Sequence, residues 1–498
     1  MKLKIPNFAD ARYIFLVKIR EIVNHKFSIK VIFASTCSEK MLIITYFRKY
    51  ASHYKETIRL GVPIVLGQLG IVMVGFADNI MVGQYATADL AASSFVNSVF
   101  NIPILFGLGF SYGLTPLVGQ FFGRGDKFRV GGLLRNSLLA NLIIGVLLSV
   151  VMFFLYLNVD RMGQPTELLP LIRPYFLLQL ISLVFVLLFN AFKQFSDGIT
   201  DTKTPMYIIL SGNVLNVVGN YILIYGRLGL PSMGLIGAGI VTLTVRVLMF
   251  LAFALYFYRN RGYRRYQVGY RRTRYNRPDV LTLSRMGVMV GLQMGMETAL
   301  FGVTGVMVGW LGAVALAAHQ VVVTLSTLGF MIYYGVGAAI SVRVSNFYGR
   351  GDVVNVRRAS MSGFHLILLL VLLFSVFLLL TRQQIGYLFS SSEEVVGVVS
   401  VLIYMMVLYQ FGDGLQVTYA NSLRGVSDVT PLAVISCIGY FLIAMPVSYV
   451  AGFLLDGGLM GIWVGYPVGL TLTGVMLCHR YYSSLASRES RYKPSGHR

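Results

Sequence analysis

The sequence predicts an all-α polytopic membrane protein, with twelve transmembrane helices in two six-helix lobes that repeat one another. Three observations carry this. A chain of 498 residues that is 56% hydrophobic and only 12% charged lies outside the composition of soluble domains. Twelve apolar segments recur along it, each long enough for a helix to cross a hydrocarbon core. Finally, the stretch from Arg59 to Asp126 returns as Arg285 to Asp352 at a constant offset of 226, with 18 identities over 68 aligned positions. Its anchors are Met81-Val82-Gly83 against Met307-Val308-Gly309, and Gly123-Arg124-Gly125-Asp126 against Gly349-Arg350-Gly351-Asp352. Matched motifs in one register imply parallel repeats with a pathway between them.

Residues 1–55 form a basic leader whose apolar runs are too short to cross a membrane and which lacks a small-residue cleavage site. An interfacial or disordered segment, or a start-site artefact, is the expectation there. The first lobe, 56–258, holds apolar spans near 60–82, 94–121, 132–157, 171–193, 205–226 and 235–258. The second, 283–481, holds 283–309, 313–346, 357–380, 395–424, 431–455 and 458–481. Thr204-Pro205 returns as Thr430-Pro431 at the same offset of 226, so the repeat covers all six helices. A tail, 482–498, follows.

Charge placement sets the expected topology. Loops after the even-numbered helices carry Arg124, Lys127, Arg129, Lys193, Lys203, Arg350, Arg357, Arg358 and Arg424, and the opposite loops are poorer in Lys and Arg. By the positive-inside bias both termini are cytoplasmic. The linker over 259–282 holds eight arginines interleaved with tyrosines. A net charge of +22 invites a nucleic-acid reading, but a cytoplasmic segment against anionic lipid accounts for it more simply.

Enzyme chemistry finds no support. Cys37, Cys437 and Cys478 are too scattered for a disulfide framework or a thiolate metal site. Gly109-Phe110-Ser111-Tyr112-Gly113 is a literal G-x-S-x-G, yet it sits in an apolar helix with no preceding strand, and no histidine follows in the first half. The GRGD loops lack the Lys-Ser or Lys-Thr of a phosphate cradle.

Three carboxylates stand inside apolar helices: Asp78, Glu297 and Asp413. A charge at mid-bilayer costs about 2.5–3.5 kcal/mol even on the lenient insertion scale, so such groups normally face a cavity and bind or exchange something. In the repeat register Asp78 stands opposite Thr304, Glu297 opposite Ile71 and Asp413 opposite Leu187, so each half carries acids its twin lacks. They are candidates for proton exchange or for holding a hard cation such as Na⁺, and the residues leave that choice open. Asn216 and Asn220 share a face at i and i+4, and with Thr242 are candidates to surround Asp78. Tyr409 lies one turn before Asp413. Arg246 and Arg343 read as too near the helix ends to partner the acids. Met and aromatic residues on these helices suit a soft pocket for flat cations.

These residues resemble the multidrug and toxic compound extrusion (MATE) family, especially its NorM-like branch, over about residues 56–480. GFADNIMVG is similar to the family's helix-one motif, which gives Asp78 the role of the amino-lobe cation-site aspartate. METALF resembles the helix-seven segment with the family's glutamate, here Glu297. YQFGD followed by SLRGVSD resembles the helix-ten motif, giving Asp413 the carboxy-lobe acidic role with Tyr409 beside it. LNVVGN resembles the helix-five element, so Asn216 and Asn220 would support Asp78. The resemblance implies a non-enzymatic antiporter in the bacterial inner membrane, expelling organic cations in exchange for H⁺ or Na⁺ by alternating access. It implies no cofactor, no nucleic-acid partner and a monomer. The rivals are a flippase for lipid-linked precursors, which would want a cationic cleft, and a non-transporting receptor or channel, which would not need these acids.

Overall fold

The computed structural model describes residues 46–492. The leader before residue 46, with Cys37, and the last six residues of the tail lie outside them. The chain divides into two compact units, Met1–Lys55 and Glu56–Arg498. Of the first, only residues 46–55 are described, and they are largely helical.

Among the described residues there is no β-strand, and twelve helices are long and apolar enough to cross a membrane. They are α1 (Ala51–Tyr85), α2 (Thr87–Gly123), α3 (Lys127–Leu157), α4 (Thr166–Gly198), α5 (Lys203–Tyr225) and α6 (Gly234–Arg259). The second set comprises α7 (Arg277–Gly309), α8 (Ala313–Gly349), α9 (Val353–Thr381), α10 (Glu393–Gly425), α11 (Val429–Leu454) and α12 (Gly458–Glu489). Every expected span is present. Most helices run past the apolar stretch that announced them, because backbone hydrogen bonding continues through polar residues once a turn is nucleated.

The two sixes meet along two crossings related by the repeat. Where α1 passes α8, a Cβ on Gly61 would lie 3.7 Å from Ala339 and one on Gly335 would lie 2.9 Å from the Val65 Cα. Where α7 passes α2, the same positions shifted by 226 recur: Gly287 approaches the Phe110 carbonyl at 2.5 Å, and Gly109 approaches the Gly291 Cα at 2.7 Å. At the ends of α2 and α8 the match is closer still. A Cβ on Gly123 would lie 2.1 Å from the Asn346 carbonyl oxygen, and one on Gly349 would lie 2.0 Å from that of Gln120. Only glycine lets two backbones cross this closely.

The GRGD repeats end one helix and begin the next. Gly125 and Gly351 turn the chain at φ +80° and +75°. Asp126 then accepts from the Arg129 amide at 2.9 Å to cap α3, and Asp352 accepts from the Asn355 amide at 3.0 Å to cap α9. These loops therefore serve the fold.

Burial sorts the helices by place. α2, α4, α8 and α12 bury the largest share of their apolar windows, and α3 and α6 the smallest. On α3 the residues Leu147, Val151 and Phe154 point outward, as a lipid-facing surface requires.

The basic linker is partly ordered. Arg264–Arg272 forms a short helix whose Tyr266 packs with Tyr263 against Phe195 and Phe257, while Arg261, Arg264, Arg265, Arg271 and Arg272 face outward. Tyr263 donates to Asp201 at 2.5 Å, and burial holds its phenol well above the ordinary tyrosine range. Tyr263 and Tyr266 are thus packing residues, and Tyr275 is exposed.

Candidate functional site

Glu297, on α7, and Asp413, on α10, open onto one cavity of about 330 Å³. Its wall is mostly apolar and aromatic, with Phe301 from α7, Phe330 and Tyr334 from α8, and Tyr409 one turn below Asp413. Asn101 and Leu105 of α2 close the side nearest the first six helices. Acid oxygens held against ring faces are what a flat organic cation would need.

Glu297 is tied to its surroundings by two bonds. Gln293, one turn earlier, donates its amide to the carboxylate at 2.9 Å, and Tyr440 donates its hydroxyl at 3.4 Å. Tyr440 reaches it from a π-helical stretch of α11, Ile438–Ala444, where the wider turn re-aims the side chain. The carbonyl oxygen of Gln293 in turn accepts a short hydrogen bond from the Arg424 guanidinium. Asp413 is fully buried within the protein yet lines the cavity, and it makes no side-chain hydrogen bond among the described residues. Tyr409 packs against Trp463 and Tyr466, which fixes its ring.

Asp78 belongs to a separate cluster and does not line that cavity. It sits on α1, where Asn220 of α5 donates to it at 2.6 Å and also to Asn216 at 3.1 Å. Thr242 lies half-buried on α6 and makes no side-chain hydrogen bond among the described residues. Arg246 and Tyr175 stand within electrostatic range of Asp78. Arg246 donates to Gln179 at 3.1 Å and to Ser182, and Gln179 donates to the Tyr175 hydroxyl at 3.0 Å.

Three basic residues are placed differently from the expectation. Arg246 is no end-of-helix charge: it is the half-buried cation of the Asp78 cluster. Lys193 and Arg424 do not lie in loops, because α4 and α10 continue to Gly198 and Gly425 and carry them inside. Lys193 pairs with Asp197 at 3.0 Å, both buried. A small polar pocket of about 20 Å³, with room for about one water, lies between this pair and Arg424. In the repeat Asp197 stands where Arg424 stands, since the glycines that follow them, Gly198 and Gly425, meet Val118 and Val344 alike, so no matched base in the sequence pointed there.

Carboxylate oxygens suit hard cations. Among the described residues no three His, Cys, Asp or Glu side chains are close enough together to hold a metal ion. A cation at either acid would draw its remaining ligands from amide, hydroxyl or carbonyl oxygens.

The MatE family model matches residues 63–222 and 290–450, one copy in each half. The chain belongs to the MATE family. It is a transporter scaffold rather than an enzyme, and a multi-pass membrane protein. Multidrug resistance protein NorM of Photobacterium profundum is 30% identical over 439 residues, covering 86% of this chain and 95% of that protein. Multidrug resistance protein PmpM of Pseudomonas aeruginosa is 33% identical over 433 residues, covering 86% and 90%. The crystal structure of a eukaryotic MATE transporter, AtDTX14, superimposes with a TM-score of 0.77 at 18% identity, covering 89% and 99%. The last likeness is one of fold.

Proposed function

We propose that this protein is a secondary active multidrug efflux antiporter that exports organic, mostly cationic compounds in exchange for H⁺ or Na⁺. The observation that carries the reading is the cavity of about 330 Å³ in which Glu297 and Asp413 face aromatic and apolar walls. A delocalised cation gains there from acid oxygens and ring faces together, and pays little for leaving water. Protons or Na⁺ arriving from outside neutralise the same acids, weaken the hold on cargo and favour its release. Asp78, with Asn216 and Asn220 and with Thr242 nearby on α6, acts as a second coupling group in the first lobe, and Tyr409 shapes the wall beside Asp413.

Alternating access follows from rocking of the first lobe, 56–258, against the second, 283–481, about their glycine crossings, with 259–282 as the tether. The protein works as a monomer in the bacterial inner membrane with both termini cytoplasmic. Support for that orientation remains in Arg124, Lys127, Lys203, Arg350, Arg358 and the linker arginines after Lys193 and Arg424 are set aside. One charge moving through 100 mV supplies about 2.3 kcal/mol, enough for about fiftyfold accumulation.

The test is efflux of a fluorescent organic cation from proteoliposomes, with a pH gradient and a Na⁺ gradient imposed separately. Acceleration by one of them is the expected result and identifies the ion. Flux indifferent to both would remove coupled export and return the flippase to consideration.

A further inference from the structure

The cavity between α7, α8 and α10 holds three charged side chains among its lining residues: Glu297, Asp413 and Arg424. Two are acids and one is a base. An arginine keeps its charge inside proteins, so one of the two negative charges is matched from within whatever the cavity holds. The geometry shows which one is matched. Arg424 gives a short hydrogen bond to the carbonyl oxygen of Gln293, whose amide donates to Glu297 at 2.9 Å. Weaker bonds run from the same guanidinium to Asn421 at 3.4 Å and Tyr334 at 3.5 Å, and its Nε is buried without a partner. Asp413, by contrast, has no donor of its own. Lys193, which shares the small neighbouring pocket with Arg424, is already paired with Asp197.

We infer that Arg424 is a built-in counter-cation that limits the cavity to one exchangeable positive charge. Its cargo is accordingly a monovalent organic cation, and a divalent one is discriminated against. The proton or Na⁺ that fills the site at rest and the cargo that displaces it are then mutually exclusive. Gln293 acts as a positioning residue, holding the guanidinium to Glu297 while leaving Asp413 open. This inference rests on the export reading above and adds the charge of the substrate to it.

The test compares ethidium with propidium, dyes that share a ring system but carry one and two positive charges. Affinity of each for the purified full-length protein is measured by equilibrium dialysis at fixed salt. Wild type is expected to prefer ethidium. Arg424→Gln leaves two unmatched acids, and the propidium-to-ethidium affinity ratio should rise by about tenfold or more, since an unmatched like charge in a dry site costs several kcal/mol. Arg424→Lys should keep the wild-type ratio. Gln416→Glu adds an acid to the same wall with Arg424 intact, and should raise the ratio as Arg424→Gln does, so the result does not depend on how well the arginine variant folds. The dye's extra bulk cancels, because ratios are compared between variants. An unchanged ratio in Arg424→Gln and Gln416→Glu, with both dyes still bound, would overturn the inference and leave the export reading standing. Failure of wild type to bind either dye would overturn both.

Discussion

At the scale of single residues, the acids inside the helices of the first and second halves sit in unlike clusters. Asp78 is held by Asn220 at 2.6 Å and lies outside the cavity that Glu297 and Asp413 share. Asp78→Asn should therefore slow gradient-driven efflux by about tenfold or more while changing dye affinity by less than about threefold, a loss of turnover without a loss of binding. Equal losses in transport and equilibrium binding would contradict that separation. The sequence singled out the acids because a carboxylate amid apolar residues normally faces a cavity, and Glu297 and Asp413 do line one. Arg424, Lys193 and Arg246 were not legible in this way. Lys193 and Arg424 lie at the rim of an apolar run, where a hydropathy pattern cannot distinguish a loop charge from a buried one, and Arg246 stands inside its span, where the pattern does not report its partner. Only the continuation of α4 and α10, and the packing of α6 on α4, put them inside.

At the scale of elements, the glycines of the GRGD repeats are packing devices with symmetric consequences. Gly123→Ala and Gly349→Ala each drive a methyl to about 2 Å from a carbonyl oxygen of the facing helix. Each is expected to cost about 1–3 kcal/mol, the range of overpacking, and to lower the melting temperature in detergent by similar amounts. Gly75→Ala on α1 meets nothing within 4 Å and should be neutral or slightly stabilising. A harmless Gly349→Ala would mean that the crossing of α2 and α8 is looser than described. The capping aspartates belong to the same scale: Asp126→Ala and Asp352→Ala each remove a cap worth about 1 kcal/mol, readable in the same melts. The repeat was plain in the sequence, and so were the twelve spanning helices, though not the short helix Arg264–Arg272 in the linker. What the glycines meet was not, since each faces a residue more than 150 positions away and no local pattern reports such a partner.

At the scale of the whole molecule, the pseudo-symmetric crossings and the asymmetric acids make opposite statements about the two halves. The backbone contacts repeat at an offset of 226, which suits two lobes able to rock about a shared seam. The acids inside the helices, Asp78, Glu297 and Asp413, do not repeat, which suits a single transport route with distinct jobs along it. Buried carboxylates also serve structure here: Asp89 accepts from the Leu235 amide at 2.7 Å and anchors the start of α6. It is the natural control for a claim that acids carry coupling. The most direct measurement is gradient-driven efflux of a fluorescent organic cation from proteoliposomes containing wild type, Glu297→Gln, Asp413→Asn or Asp89→Asn, normalised to inserted protein. Loss of gradient response in both cavity variants, with the response retained in Asp89→Asn, is the predicted result. Full, gradient-sensitive activity in both Glu297→Gln and Asp413→Asn would contradict the assignment of coupling to this cavity.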